Sequence, residues 1–223
     1  MIKTGKLYRN LFSDYSVDQF KKSVQLQAER FKKWNLSING AVCLDVGCGG
    51  GRTLVALKEL GAREVYGIDI DKELVELAKS RSGANITVGT ALELPYKNNM
   101  FDVVISSGVL HHTPSIQKGI DEIRRVLKQN GTFYLLLYLS HPRWIGTKIM
   151  RLVGKIIPFS IMRRILFFIP ANKRYNMMDN WYVEYMHVLG RPEILAMLSG
   201  FHDIKEVDEG KPPHNIRLVM KKL

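Results

Sequence analysis

Only two cysteines occur in the 223 residues, Cys43 and Cys48, so a scaffold stapled by disulfides is excluded. No histidine pair stands near them at zinc-ligand spacing, and no metal is expected. No uncharged apolar run reaches the roughly 18 residues that would suggest a membrane span. The first residues, Met1-Ile2-Lys3-Thr4-Gly5-Lys6, lack the apolar core of a signal peptide. These absences lead to the expectation of a cytoplasmic protein working under reducing conditions. Repeats and low-complexity tracts are missing too. Acids are scarce in one place, residues 143–180, where Asp179 stands alone against eight Lys/Arg.

A hydrophobic content of 46% and a charged content of 24% suit one globular domain with a real core. The formal net charge of +12 is unevenly spread. Residues 1–39 hold 8 Lys/Arg and 3 Asp/Glu, residues 40–142 hold 11 of each, and residues 181–223 hold 6 of each. The excess therefore lies before the central segment and in 143–180. Such an excess suits nucleic acid, an anionic membrane or an acidic substrate, and a solvated face kept for solubility is the plainer alternative.

The central segment alternates between strand and helix patterns. Strands are predicted near 42–46, 64–69, 85–89, 101–106 and 131–139. Helices are predicted near 51–61, 72–81 and 115–128, with Asp71 capping the second. A leading amphipathic helix is predicted over 16–34, a last helix over 191–199 and closing strands near 201–208 and 214–221. This alternation implies a doubly wound, mostly parallel sheet of seven strands, with ligands at the carboxyl ends of the strands. Within it, Leu44-Asp45-Val46 runs into Gly47-Cys48-Gly49-Gly50-Gly51, and a second strand ends on Asp69. Glycines let a backbone approach a ligand closely, the helix behind offers free N–H groups, and an acid ending the second strand can accept ribose hydroxyls.

The turn reads Gly-x-Gly-x-Gly with Asp45 two residues before it, and in this form it resembles motif I of the class I S-adenosylmethionine-dependent methyltransferases. The resemblance continues in order through Gly89-Thr90-Ala91-Leu92-Glu93-Leu94-Pro95, Phe101-Asp102-Val103-Val104-Ile105-Ser106, Gly108-Val109-Leu110-His111-His112 and Ile123-Arg124-Arg125-Val126-Leu127-Lys128-Gln129-Asn130-Gly131. It covers roughly residues 40–139, and the Leu-His-His segment is most similar to the branch containing the ubiquinone and menaquinone methyltransferases. It implies a Rossmann-like fold and S-adenosylmethionine as cofactor. By that likeness Gly47, Cys48, Gly49 and Gly51 shape the turn around the methionine part, Asp45 orients its amino group, and Asp69 takes the ribose hydroxyls. Ile70 packs on the adenine, with Thr90, Ala91, Leu92 and Ser106 lining the rest of the cofactor site. Two positions depart from the family pattern: Thr90 stands where an acid is usual, and Gln129-Asn130-Gly131 replaces Pro-Gly-Gly.

Catalytic candidates are His111, His112 and His187, since a neutral imidazole can act as general base near neutral pH. A structural histidine in a loop is the plainer reading of each. Asp179, Trp181, Tyr182 and Tyr185 resemble a polar-aromatic edge of an acceptor pocket, with loop packing as the alternative, and Tyr15 is a candidate to cover the cofactor. The chain divides into leading helices (1–39), a cofactor-binding core (40–139), a helical cap inserted after strand five (140–190), and a last helix with closing strands (191–223). In the cap, Lys148, Arg151 and Lys155 are expected on one face of an otherwise apolar helix, which suits a lid, an interfacial membrane helix or simple packing. Two classes of function remain. One is methyl transfer to a small or lipid-like, apolar acceptor, with peripheral contact to an anionic membrane. The other is a nucleic-acid-associated methyltransferase or a non-catalytic binder. The clustering of aromatics with apolar neighbours favours the first, and the missing Pro-Pro-aromatic signature after strand four speaks against amino-group DNA methylation.

Overall fold

The structure, a computed structural model, describes Arg9 and residues 16–142, 144–169, 181–207 and 215–223. Seven strands form one sheet in the order β3-β2-β1-β4-β5-β7-β6. They are β1 Val42–Val46, β2 Glu64–Asp69, β3 Asn85–Val88, β4 Phe101–Ser107, β5 Leu127–Tyr138, β6 Phe201–Glu206 and β7 Asn215–Lys222. The first five are parallel, and β7 runs antiparallel to both β5 and β6. The helices are α1 Val17–Lys33, α2 Arg52–Glu59, α3 Lys72–Ser82, α4 Ile116–Val126, α5 Trp144–Ile156, α6 Phe159–Ile165 and α7 Arg191–Ala196.

The alternation of side chains along β1 builds both faces. Val42, Leu44 and Val46 pack with Ile120 and Ile123 of α4 on one side, while Cys43 packs with Phe31, Leu54 and Val75 on the other. The strand order reverses between β1 and β4, so a crevice opens beyond their carboxyl ends. Local chemistry sets the helix starts. Asp71 accepts the backbone N–H groups of Glu73 and Leu74 at 3.0 and 3.1 Å, and Ser16 and Gln19 form a capping box on α1. Asn130 takes the left-handed conformation that the Asn-Gly pair suits.

Three details differ from the sequence-based expectations. Strand β5 begins at Leu127 rather than near 131, because Leu127 already pairs with Phe101 before the register shifts, the extra residues lying in β5 between Leu127 and Thr132. Helix α7 ends at Ala196, where the last turn tightens: the Met197 N–H reaches both the Glu193 and Ile194 carbonyls. Arg151 does not share an outward face with Lys148 and Lys155. It turns inward and donates to the Val183 carbonyl at 3.1 Å, satisfying a buried backbone acceptor.

Helices α5 and α6, separated by Pro158, follow the carboxyl end of β5 and end in a 3-10 turn over Leu166–Phe168. They do not join either sheet core. Met162 and Tyr182 centre a small cluster of their own with Met150, Val153, Ile157 and Phe159. The Tyr182 hydroxyl donates to the Ile157 carbonyl at 2.8 Å, and the Trp144 indole N–H donates to the Leu139 carbonyl at 2.9 Å. No helix among the described residues is long and apolar enough to cross a membrane.

Candidate functional site

Beyond β1 the chain turns through Gly47–Gly51 into α2, and a small cleft opens beside it, lined by Asp45, Gly47, Cys48, Gly49 and Arg52 among others. Two of the glycines are obligatory. At Gly47 φ is +76° and a Cβ would run into the Val109 side chain; at Gly51 φ is +86° and a Cβ would press on the Ala78 backbone at 3.1 Å. The turn is tied to β2 from both ends. The Gly47 N–H donates to the Ile68 carbonyl at 2.7 Å, and the Gly49 N–H donates to Asp69 Oδ2 at 2.8 Å. Asp69 Oδ1 accepts the Asp71 N–H at 3.0 Å. Burial raises the Asp69 pKa, and the backbone N–H groups of Asp71 and Gly49 act against that rise. Each carboxylate oxygen keeps a second lone pair for a ligand hydroxyl.

Asp45 lies at the back of the cleft. Burial pushes its carboxyl up to about 7, opposed by the charge of Arg52 and a hydrogen bond from Thr53. Burial also pushes the Cys43 thiol up to about 12 and Cys48 well above the ordinary value, so neither supplies a thiolate at neutral pH. Ile70, at the end of β2, is 68% exposed, a side chain with an open apolar face. Across from it the 90–96 loop is fixed from α4. Glu122 accepts the Leu94 N–H at 2.8 Å, and Arg125 donates to the Leu94 and Tyr96 carbonyls at 2.8 and 2.7 Å. Within that loop Thr90 Oγ1 accepts the Leu92 N–H at 3.2 Å, Ala91 is buried and Leu92 is half-buried.

Several cleft residues are missing from the sequence-based set: Phe20, Arg52, Thr53, Arg81 and Ser107. Strand alternation was the available signal for Ser107. It shares a strand face with Ile105, on the α2 side of the sheet where Asp45 lies, whereas Ser106 is fully buried, its hydroxyl without a partner among the described residues. Arg52 is flagged only by its place as the first helical residue behind the glycines, and it makes no hydrogen bond or ion pair among the described residues. Phe20 and Arg81 are joined by tertiary packing alone. The Arg81 guanidinium sits 4.4 Å over the Phe20 ring and donates to the Gly50 carbonyl at 3.3 Å.

A second group of side chains adjoins the turn. Val109, which packs against Gly47, leads into the 3-10 turn Leu110–His112. The structure brings His111, His112 and His187 together here. His111 is completely buried, stacked on Tyr138 at 3.8 Å between ring centroids and 4.2 Å from the His112 ring, and neither of its nitrogens has a hydrogen-bond partner among the described residues. Burial, reinforced by His112 and His187, holds its pKa well below the usual imidazole value, so it is neutral at physiological pH. His112 Nδ1 lies 3.0 Å from the Tyr185 carbonyl and His187 Nε2 lies 2.9 Å from the Thr113 carbonyl. A carbonyl only accepts, so each of those nitrogens carries the hydrogen and the tautomers are fixed. The remaining sequence-based candidates scatter. Tyr185 is exposed beside His112, Trp181 packs in the α5–α6 cluster, and the Tyr182 hydroxyl is spent on Ile157. Asp179 and Tyr15 lie outside the described residues.

Residues 44–135 match the family model of the methyltransferase domain. Over 168 residues the chain is 32% identical to the demethylmenaquinone methyltransferase of Bacillus pumilus, covering 68% of this chain and 71% of that protein. It is 35% identical over 99 residues to the uncharacterized methyltransferase YcgJ of Bacillus subtilis, covering 42% of this chain and 39% of YcgJ. The spanned share of these relatives thus runs from well under half to about seven tenths. Among solved structures, the magnesium protoporphyrin IX methyltransferase of Synechocystis, with bound SAH, superposes at a TM-score of 0.62 with 16% identity, over 98% of this chain and 94% of that one, a likeness of fold.

Proposed function

This chain belongs to the class I S-adenosylmethionine-dependent methyltransferases, and we propose that it methylates a small, apolar, lipid-like acceptor met at the surface of an anionic membrane. The observation that carries the cofactor reading is the cradle: Gly47 and Gly51 keep the turn free of side chains while Asp69 is fastened to Gly49. The residues present fit the cofactor. Asp45 would take its amino group, Arg52 its carboxylate, Asp69 the ribose hydroxyls, and Ile70 with Thr90, Ala91 and Leu92 the adenine. When bound, S-adenosylmethionine supplies an activated methyl group on a sulfonium. The chain's part is then to align the acceptor, exclude water and receive a proton. His111 is assigned that last role, because it is a neutral imidazole whose two nitrogens have no hydrogen-bond partner among the described residues, packed against His112 and Tyr138. The relative named for demethylmenaquinone supports an apolar, ring-bearing molecule over nucleic acid.

Two measurements test this reading. Calorimetry with S-adenosylmethionine should show binding that Asp69→Ala weakens severalfold or more, because the ribose hydroxyls lose a charged acceptor. Transfer of labelled methyl to a lipid extract, a small-molecule pool and total RNA should label the first or second. Unchanged affinity in Asp69→Ala sinks the cofactor assignment, and label in RNA alone replaces the acceptor class.

A further inference from the structure

Helix α5 is apolar on two sides, and only one of them is covered by the described residues. Met150, Val153 and Ile157 face the cluster around Met162 and Tyr182. Ile145, Ile149, Leu152 and Ile156 recur at steps of four, three and four, so they form one stripe along the helix. Their exposures run from 57% to 82%. Beyond Pro158 the same character persists, with Phe167 at 71% and Phe168 at 92% exposure. A soluble surface seldom leaves so many large apolar groups together. The charged residues on this surface are of one sign. Lys148 and Lys155 border the stripe along the same edge, Arg164 is exposed on α6, and none of their side chains makes an ion pair among the described residues. No Asp or Glu occurs anywhere in 144–169.

We infer that the outer stripe of α5, with Phe167 and Phe168 and the cations Lys148, Lys155 and Arg164, is the surface that seats the protein on an anionic lipid bilayer. Apolar side chains bordered by exposed cations match the boundary between acyl chains and acidic headgroups. A nucleic-acid face would need its aromatics interleaved with phosphate-binding cations, and the stripe is aliphatic. The surface also lies next to the histidine group. Trp144, at the root of α5, packs 5.2 Å from Tyr138, and Tyr138 stacks on His111. Docking through α5 therefore brings the histidines to the membrane boundary, where an apolar acceptor resides. This inference rests on the lipid-like acceptor proposed above, and it names the surface through which that acceptor is reached.

Co-sedimentation with vesicles of phosphatidylcholine alone and of phosphatidylcholine with phosphatidylglycerol decides it. The protein should bind the anionic vesicles at least tenfold more tightly at low salt, with a residual part surviving high salt. The double change Lys148→Glu and Lys155→Glu should weaken that binding about 20-fold or more, since each cation near the surface contributes about fivefold. Ile149→Ser with Phe168→Ser should remove the salt-resistant part. Both variants should keep their affinity for S-adenosylmethionine, which checks that they fold. Equal binding to both vesicle types, no binding at low salt, or variants that bind like the parent overturns the inference. So does a dimer in light scattering that Ile149→Ser dissociates, because the stripe is then an interface between copies. Loss of cofactor binding with vesicle binding intact would instead count against the functional reading alone.

Discussion

The glycine turn and the α5–α6 segment are placed by opposite kinds of constraint. Around the turn, backbone geometry leaves no freedom. Positive φ at Gly47 and Gly51, close neighbours at Val109 and Ala78, and a carboxylate bridging Gly49 to Asp71 hold the turn's backbone against the sheet. In α5 and α6 only one face is fixed, by a small cluster and a few hydrogen bonds, while the other meets solvent. A ligand site that must fit one molecule belongs on the first kind of structure. A surface that meets a fluid phase needs composition more than position. The contrast teaches that order of residues carries information in one half of this chain, and kind of residue carries it in the other.

The comparison breaks first at Gly47. Gly47→Val puts a β-branched residue at a positive φ and into Val109, which should destabilise the protein by about 3 kcal/mol or more and abolish detectable cofactor binding. A variant that binds S-adenosylmethionine normally would show the cradle to be looser than its geometry implies. His111→Gln tests the chemistry with the cradle intact. Here kcat should fall about a hundredfold or more, with cofactor affinity unchanged. The parent's rate should rise with pH through a value below the ordinary imidazole range and then level, since burial depresses the His111 pKa and only the neutral ring accepts a proton. An unchanged kcat would return His111 to a structural role.

Two smaller effects sharpen the cofactor end. Arg52→Ala should weaken S-adenosylmethionine about tenfold by removing a charge-assisted hydrogen bond, and leave 5′-methylthioadenosine, which lacks the carboxylate, unaffected. Equal losses for both ligands would show that Arg52 acts on the fold. Asp45 makes a prediction about protons. Its folded pKa of about 7 lies above the unfolded value of 3.8, so the free protein holds a proton there that the unfolded chain gives up between those limits. That contribution is present at low pH and is lost as pH rises toward about 7. A ligand ammonium next to Asp45 favours the carboxylate. Binding below pH 7 should therefore release a proton, read as a dependence of binding heat on buffer ionisation, and Asp45→Asn should abolish that release.

Much of this was legible before the structure. Five parallel strands, the leading helix and the Asp71 cap follow from periodicity and cap chemistry, and the ordered motifs point to the glycine turn and Asp69. The three histidines were each readable as candidates, but their meeting was not, because His187 is brought to His111 by pairing of the 187–189 segment with β5 and the Leu110–His112 turn. Arg81 and Phe20 were invisible for the same reason: nothing local links a residue late in α3 with one early in α1. Arg151 misled because helical spacing ranks residues by face without saying which face finds a carbonyl to satisfy.

The smallest effect tests whether the two halves are as separate as their packing implies. Tyr182→Phe removes only the hydroxyl that donates to Ile157 at 2.8 Å, keeping the ring that packs on Phe159. The Ile157 carbonyl is left without that partner, so stability should fall by about 1 kcal/mol, or about 2–4 °C in Tm for a chain of this size. The ends of α5 and α6 meet at that carbonyl, so the loss should appear as faster hydrogen exchange across both helices. Exchange in β1, α2 and the glycine turn should not change, and neither should affinity for S-adenosylmethionine, since α5 packs in a cluster of its own, apart from the sheet cores. A shift in cofactor affinity would mean that the outer segment and the cradle form one cooperative unit, and that an α5 seated on lipid also tunes the cofactor site.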